Sequence, residues 1–314
     1  MIKYLERDDI SDQKWDNCIS RSFNGMIYGY TWYLDIVAEN WAALVENDYE
    51  SVFPLPYKKK LGISYIYQPF FTQQLGLFSR NLVSNEKVRE FLQAIPSQFK
   101  RIDLNLNTLN KCEGKLFDYA PQLNHELDLI NSYKTIHENY STNLKRNIKK
   151  AGNADLTIMK NIKPDGIVRL FRENRGSDIR HLRENDYLTL KRLIYTSIYK
   201  RKAQLLAAYN ETNELVAGVV FLISNKKAIF IFSGMSEEGR NKGAMPLLID
   251  SFIKNNSGKH LTFDFDGSND ENLARFYKSF GSKECFYYRV SINRLPFITS
   301  SMMNFGRKVK SWLR

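Results

Sequence analysis

Arg240, Lys242 and Gly243 stand immediately before a stretch that reads as a helix from about Ala244. A basic, glycine-containing loop that feeds a helix N-terminus suits a phosphate. The first-turn N–H groups have no acceptor within the helix, and the helix dipole favours an anion there. Gly234 and Met235 open this loop, and Gly234 is expected to break the apolar run 228–233 before it. The same residues would also make an ordinary solvated loop. Asp264 and Asp266 flank the end of a second apolar run, Leu261 to Phe265. Two residues apart on a strand, they would share a face, and either could accept a proton from an amine or hydroxyl. Equally, Asp266 would cap the turn at Gly267 while Asp264 pairs with a cation. Lys145, Arg146, Lys149 and Lys150 space out as i, i+4 pairs on a helix whose Leu144 and Ile148 point inward. Such a basic face is either solvated or a clamp for a phosphorylated acceptor or a tRNA backbone.

The elements that must position these residues follow from pattern. The run 227–233 is a strand and 234–243 a polar loop. The helix after it has Pro246 in its first turn, where a missing N–H costs nothing, and Leu247, Leu248, Phe252 and Ile253 on its apolar face. A strand over 261–265 leads to a turn in which Asp270 caps a last helix carrying Leu273, Phe276 and Tyr277, and a strand over 284–292 closes the pattern. Upstream, 133–151 is helical in two parts, the second beginning at Ser141, and helices open at Pro164 and Asn185. Strands at 204–209 and 214–224 precede the one at 227. The first half carries helices at 11–20 and 30–41 and strand-like runs at 41–45, 51–57 and 63–71. Lys58, Lys59, Lys60 and Gly62 form the turn between the last two runs. A loop holding Gly76 follows, then a helix capped by Ser84 and an alternating strand at 101–107. Both halves thus read as helices, a three-strand meander, a glycine-containing loop, a helix and a strand. The first loop has no basic residue between Phe71 and Phe78, so that half is expected to lack a phosphate site. The expected division is 1–130, 131–293 and a tail over 294–314.

A chain of 314 residues, 43% of them hydrophobic, accommodates two ordinary domains. Its net charge of +12 selects an anionic partner without choosing among nucleotide, tRNA, glycan and lipid. Cys18, Cys112 and Cys285 are an odd, scattered set, and His125, His137, His181 and His260 are dispersed. Both patterns argue against a disulfide framework or a metal site and fit a reducing compartment. The segment MIKYLERDDISDQKW has no apolar core, so neither a signal peptide nor a membrane span is expected, and the expected location is the cytoplasm. In the tail, Met302, Phe305, Val309, Trp312 and Leu313 interleave with Arg307, Lys308, Lys310 and Arg314. A basic amphipathic helix of this kind would dock on the domain or lie on the inner face of an anionic membrane.

The order of elements, the loop-to-helix site and the segment DFDGSNDENLARFYKSFG resemble the FemAB-like proteins of the GNAT acyltransferase superfamily, which have a double acetyltransferase fold. YSTNLKRNIKKAGNADLTI is similar to the basic helix and strand that open the C-terminal domain in that family. The resemblance implies an α/β (α+β) fold of two tandem GNAT-like domains, each a mixed, mostly antiparallel sheet flanked by helices. It implies an acyltransferase with acyl-CoA as donor, held at a loop of the form Gln/Arg-x-x-Gly-x-Gly/Ala. Arg240 and Gly243 match the first two positions of that loop, and Met245 departs at the last, with Ala244 beside it. Gly234, Met235, Arg240, Lys242, Gly243 and Ala244 would hold the donor, and Tyr277 would stand where GNAT enzymes place a tyrosine general acid. The acceptor would be a small molecule or a cell-envelope precursor. Within the same family, aminoacyl-tRNA as donor to a peptidoglycan precursor is the alternative, although no coiled-coil arm for tRNA is evident. A third alternative is a binding module that keeps the fold without the chemistry. No metal is expected.

Overall fold

The computed structural model describes residues 1–111, 117–178, 182–267 and 269–295. The amphipathic tail beyond 295, with Cys112, His181 and Ser268, lies outside the described residues. The described residues form two units, one of Met1–Pro121 together with 287–295, the other of Gln122–Phe286. The division expected at 130 therefore falls earlier, inside a strand, and the last strand does not belong wholly to the second unit.

The first unit comprises β1 (Ile2–Glu6), α1 (Asp12–Arg21), α2 (Thr31–Val37), β2 (Asn40–Glu46), β3 (Ser51–Lys60), β4 (Ile63–Ile66), β5 (Phe78–Ser79), α3 (Asn85–Ala94) and β6 (Phe99–Leu106). Ser11 and Ser84 cap α1 and α3, their hydroxyl oxygens accepting from the N–H of Lys14 and Lys87. The sheet runs β1-β2-β3-β4-β6 and is completed by residues 288–293, antiparallel to β6, while β4 and β6 are parallel. The run expected over 63–71 stops at Ile66. Lys58–Lys60 belong to β3, and the turn is Leu61–Gly62, both left-handed (φ 50° and 78°). The loop holding Gly76 is fastened by buried asparagines. Asn110 Oδ1 accepts from the Leu77 N–H at 2.6 Å, and Asn24 and Asn107 donate to the Leu77 carbonyl at 2.7 and 3.2 Å.

The second unit comprises most of β7 (Asp118–Asp128), then α4 (Tyr133–Glu138), α5 (Thr142–Gly152), β8 (Thr157–Lys160), α6 (Pro164–Glu173), α7 (Glu184–Tyr199), β9 (Ala203–Tyr209), β10 (Leu215–Ser224), β11 (Lys227–Met235), α8 (Glu237–Asn241), α9 (Ala244–Asn256), β12 (Thr262–Asp264), α10 (Glu271–Lys278) and the start of β13 (Lys283–Asn293). Its sheet runs β7-β12-β11-β10-β9-β8, antiparallel except for the β11–β12 pair. Each unit thus has an edge strand, an antiparallel meander, one parallel neighbour and a final antiparallel strand. In the second unit that final strand is β7, with which the unit begins, and in the first it is residues 288–293, far along the chain from β6. The core of the second unit gathers Phe221, Phe252, Phe263, Phe265 and Phe280 between the sheet and α5, α9 and α10. Among the described residues no helix is long and apolar enough to cross a membrane.

Candidate functional site

The parallel pairing of β11 with β12 covers Lys227–Ile229 against Thr262–Asp264 and stops there, whereas β11 continues beside β10 to Met235. Beyond Ile229, β11 therefore runs with one neighbour, and a cavity of about 730 Å³ opens along it. Gly234 does not break this strand as expected. It pairs with Gly218 across β10, and both lie under Ile167 of α6. A Cβ at Gly234 would lie 2.4 Å from the Ile167 carbonyl oxygen, and one at Gly218 2.5 Å from Ile167 Cγ1. The glycine pair lets α6 settle onto the sheet, which brings Phe171, and Arg175 one turn later, to the cavity wall. Ile231 is an extra residue in β11, since Phe230 pairs with Phe221 and Phe232 with Val220. This bulge turns the two phenylalanines to opposite faces: Phe230 packs on Tyr277 at 6.5 Å and Phe232 on Phe171 at 4.7 Å.

The expected polar loop is partly helical. Ser236 caps α8 by accepting from the Gly239 N–H at 3.1 Å, and Glu237 and Glu238 occupy its first turn, which complements the dipole. Arg240, in the last turn, reaches the cavity. Lys242 does not line it, because its ammonium is drawn to Glu238 at 3.1 Å and Glu211 at 3.8 Å. Gly243 follows at φ +71°, a left-handed N-cap that L side chains rarely adopt, and the helix turns at once into α9. The N–H groups of Ala244 and Met245, in the first turn, have no acceptor within the helix, and Pro246 has no N–H to offer. Ala244 is fully buried. Met245, which departs from the expected small residue, packs into the core beside Leu248 and forms part of the cavity wall.

Among the described residues three cations line the cavity, Lys150, Arg175 and Arg240, and no carboxylate does. Of the basic face on α5, Lys150 alone reaches it, its Nζ 3.4 Å from the Asn241 carbonyl. Lys145 instead donates to the Glu138 carbonyl at 2.9 Å, Arg146 to Asn143 at 2.8 Å, and Lys149 lies outside the lining. Asn147, on the same helix, lines the cavity beside Gly243. Charge patterning showed that α5 is basic, but which of its cations faces inward depends on how the helix packs on α9. Arg175 had no sequence signal at all, since only the seating of α6 brings it in.

The carboxylates expected as bases are placed apart. Asp264, 1% exposed, sits under the sheet end and outside the cavity lining. It accepts from Asn124 Nδ2 at 3.0 Å, from Lys227 Nζ at 3.2 Å and from the Asp266 N–H at 2.9 Å. Glu126 pairs with the same ammonium, so a cation sits between the buried Asp264 and the partly exposed Glu126. Burial opposes the Lys227 charge, but Asp264 and Glu126 outweigh it and raise its pKa; burial raises that of Glu126. Asp266 has left the strand at φ +61°, so the two aspartates do not continue one strand face. Tyr277 does line the cavity. Burial, with the charges of Asp266 and Asp270 adding to it, raises its pKa, so the phenol is neutral at neutral pH. His125 stands edge-on to its ring at 6.2 Å, and the imidazole nitrogens have no hydrogen-bond partner among the described residues. Among the described residues no group of three His, Cys, Asp or Glu side chains could hold a metal ion.

No family model matches the sequence, and no curated protein matches it. Solved structures do. FemX is similar over 91% of this chain and 96% of its own, at 12% identity and a TM-score of 0.64. The C-terminal domain of an Agrobacterium fabrum protein assigned as a lysylphosphatidylglycerol synthetase is similar over 95% of both chains, at 10% identity and 0.57. L-PGS from Bacillus licheniformis is similar over 95% of this chain and 96% of its own, at 12% identity and 0.50. The chain has the FemAB-like, GNAT-type fold.

Proposed function

We propose that the protein is an acyltransferase whose donor, an acyl-CoA, lies in the cavity along β11. The observation that carries this is the gathering of Lys150, Arg175 and Arg240 around a cavity that meets the N-terminus of α9, with no carboxylate among the described lining residues. Phosphates of the donor bind there, to the guanidinium and ammonium groups and to the N–H groups of Ala244 and Met245. The stretch of β11 beyond Ile229, no longer paired with β12, suits an amide-bearing arm laid beside the strand. The acceptor amine attacks the thioester carbonyl carbon; a C–N bond forms and the C–S bond breaks. The neutral Tyr277 phenol donates its proton to the departing thiolate, and the proton released by the amine restores it through solvent. Acceptors of the cell-envelope class fit the neighbours in fold, one of which is named for a lysylated envelope lipid.

Calorimetric titration of CoA tests the donor. The expected result is measurable binding that weakens by roughly 10- to 100-fold in Arg240→Ala, the range for losing a charge-assisted hydrogen bond. Absence of binding by the wild-type protein would sink this reading. The second reading, an aminoacyl group delivered on tRNA, draws on that same lysyl-named neighbour, and a tRNA 3′-end competing with CoA would favour it. Donor binding without turnover over a panel of amines and alcohols would mark a binding module instead.

A further inference from the structure

The cavity has two chemically distinct ends. Cations and the α9 N-terminus define one, at Met235, Arg240 and Gly243. At the other, Phe230 is followed by Leu273, Phe276 and Tyr277, which α10 presents at i, i+3 and i+4 on one face. Phe230 and Met235 stand five residues apart on β11, roughly 15 Å at a strand rise of about 3.3 Å per residue. Leu273 remains 39% exposed and Phe276 is partly buried, so α10 holds apolar surface toward a space that none of the described residues fills. At this end the polar groups of the lining are the Tyr277 hydroxyl and the small Ser233. Asp266 and Asp270, which act on Tyr277 electrostatically, stand outside the lining.

Resting on the acyl-CoA reading, we infer that the acyl group is uncharged and apolar and longer than acetyl, its chain lying against Phe230, Leu273 and Phe276. The phosphates fix the donor at the cationic end, and the thioester then falls beside Tyr277, from where only the aromatic end remains for the chain. Each methylene that leaves water for this end tightens binding by roughly fourfold, the equivalent of burying one CH₂. A charged lysyl group would meet phenyl rings there with no carboxylate among the described lining residues.

The test is a calorimetric series of CoA, acetyl-CoA, butyryl-CoA and hexanoyl-CoA against the wild type, Arg240→Ala, Phe276→Ala and Leu273→Ser. The expected result is stepwise tightening with chain length in the wild type. Arg240→Ala should weaken all four ligands by a similar factor and keep the steps. Phe276→Ala and Leu273→Ser should flatten the steps and leave the affinity for CoA itself unchanged. Leu273 is exposed enough that its replacement is tolerated, which guards against loss of fold in Phe276→Ala. Equal affinity for CoA and hexanoyl-CoA, or full steps in both α10 variants, overturns the inference and leaves the donor reading standing. No binding of any ligand by the wild type removes both.

Discussion

At the scale of single residues, the site depends on side chains that are absent as much as on those present. Gly234 faces α6 across a gap that a methyl group cannot share. Gly234→Ala is expected to destabilise the protein by about 3 kcal/mol, the upper range for overpacking, and to weaken CoA binding as Phe171 and Arg175 move outward. Urea denaturation and calorimetry on the same sample check both effects. The Lys227–Glu126–Asp264 group makes a second prediction. Burial lifts the Glu126 pKa above the ordinary glutamate value, with Lys227 opposing the rise. A carboxyl group raised on folding contributes stability that is complete below its unfolded pKa and is lost as pH climbs through the folded one. The urea midpoint of the wild type should therefore fall relative to Glu126→Gln as pH rises above the ordinary glutamate range. Parallel curves for the two proteins would show that Glu126 is not shifted. The glutamine keeps an oxygen for Lys227, so the comparison isolates the proton.

At the scale of elements, the β3–β4 hairpin carries a local conflict. Leu61 occupies the first position of a two-residue turn at φ 50° and is 93% exposed, where asparagine before Gly62 is the favoured pair. Leu61→Asn should raise stability by about 1 kcal/mol, the lower estimate for relieving a left-handed residue, with no change in CoA affinity. An unchanged urea midpoint would mean that the turn is relaxed as it stands. In the other unit, the bulge at Ile231 and the early end of β12 cooperate. One swings Phe230 toward Tyr277, and the other leaves β11 unpaired where the cavity opens. Short α8 then sorts two neighbouring cations, directing Arg240 inward and tying Lys242 to Glu238.

At the scale of the whole molecule, a net charge of +12 supports attraction of a polyanionic donor. Screening acts over about 10 Å at 0.1 M salt, so CoA affinity should fall as sodium chloride is raised, and the dependence should be shallower in Arg240→Ala. A salt-independent affinity would mean that the cations at the cavity are not its anchor. The two units repeat one strand order, and the first is completed by a strand distant from the rest of it in the chain. That arrangement ties the first unit's stability to the C-terminal strand, since residues 288–293 pair with β6.

The sequence by itself determined the repeated order of elements, the helix starts at Ser84, Ser141, Pro164 and Asp270, and the position of Gly243 before α9. These follow from local rules: caps, turn chemistry and apolar periodicity act within a few residues. Arg240 was legible as a candidate for the same local reason, and Tyr277 only through the family resemblance. β1 and β7 were not, because a short strand with mixed burial shows little alternation, and Pro121 within β7 argues against a strand. Tertiary structure alone decided that β7 and β13 complete the units they do, since pairing partners far apart in sequence leave no local trace. It alone turned Lys150 inward and Lys145 outward, because helix rotation is set by packing on α9. It placed Asp264 in an ion-paired group and outside the cavity, since a buried carboxylate next to Lys227 is held by charge, which spacing along one strand cannot reveal.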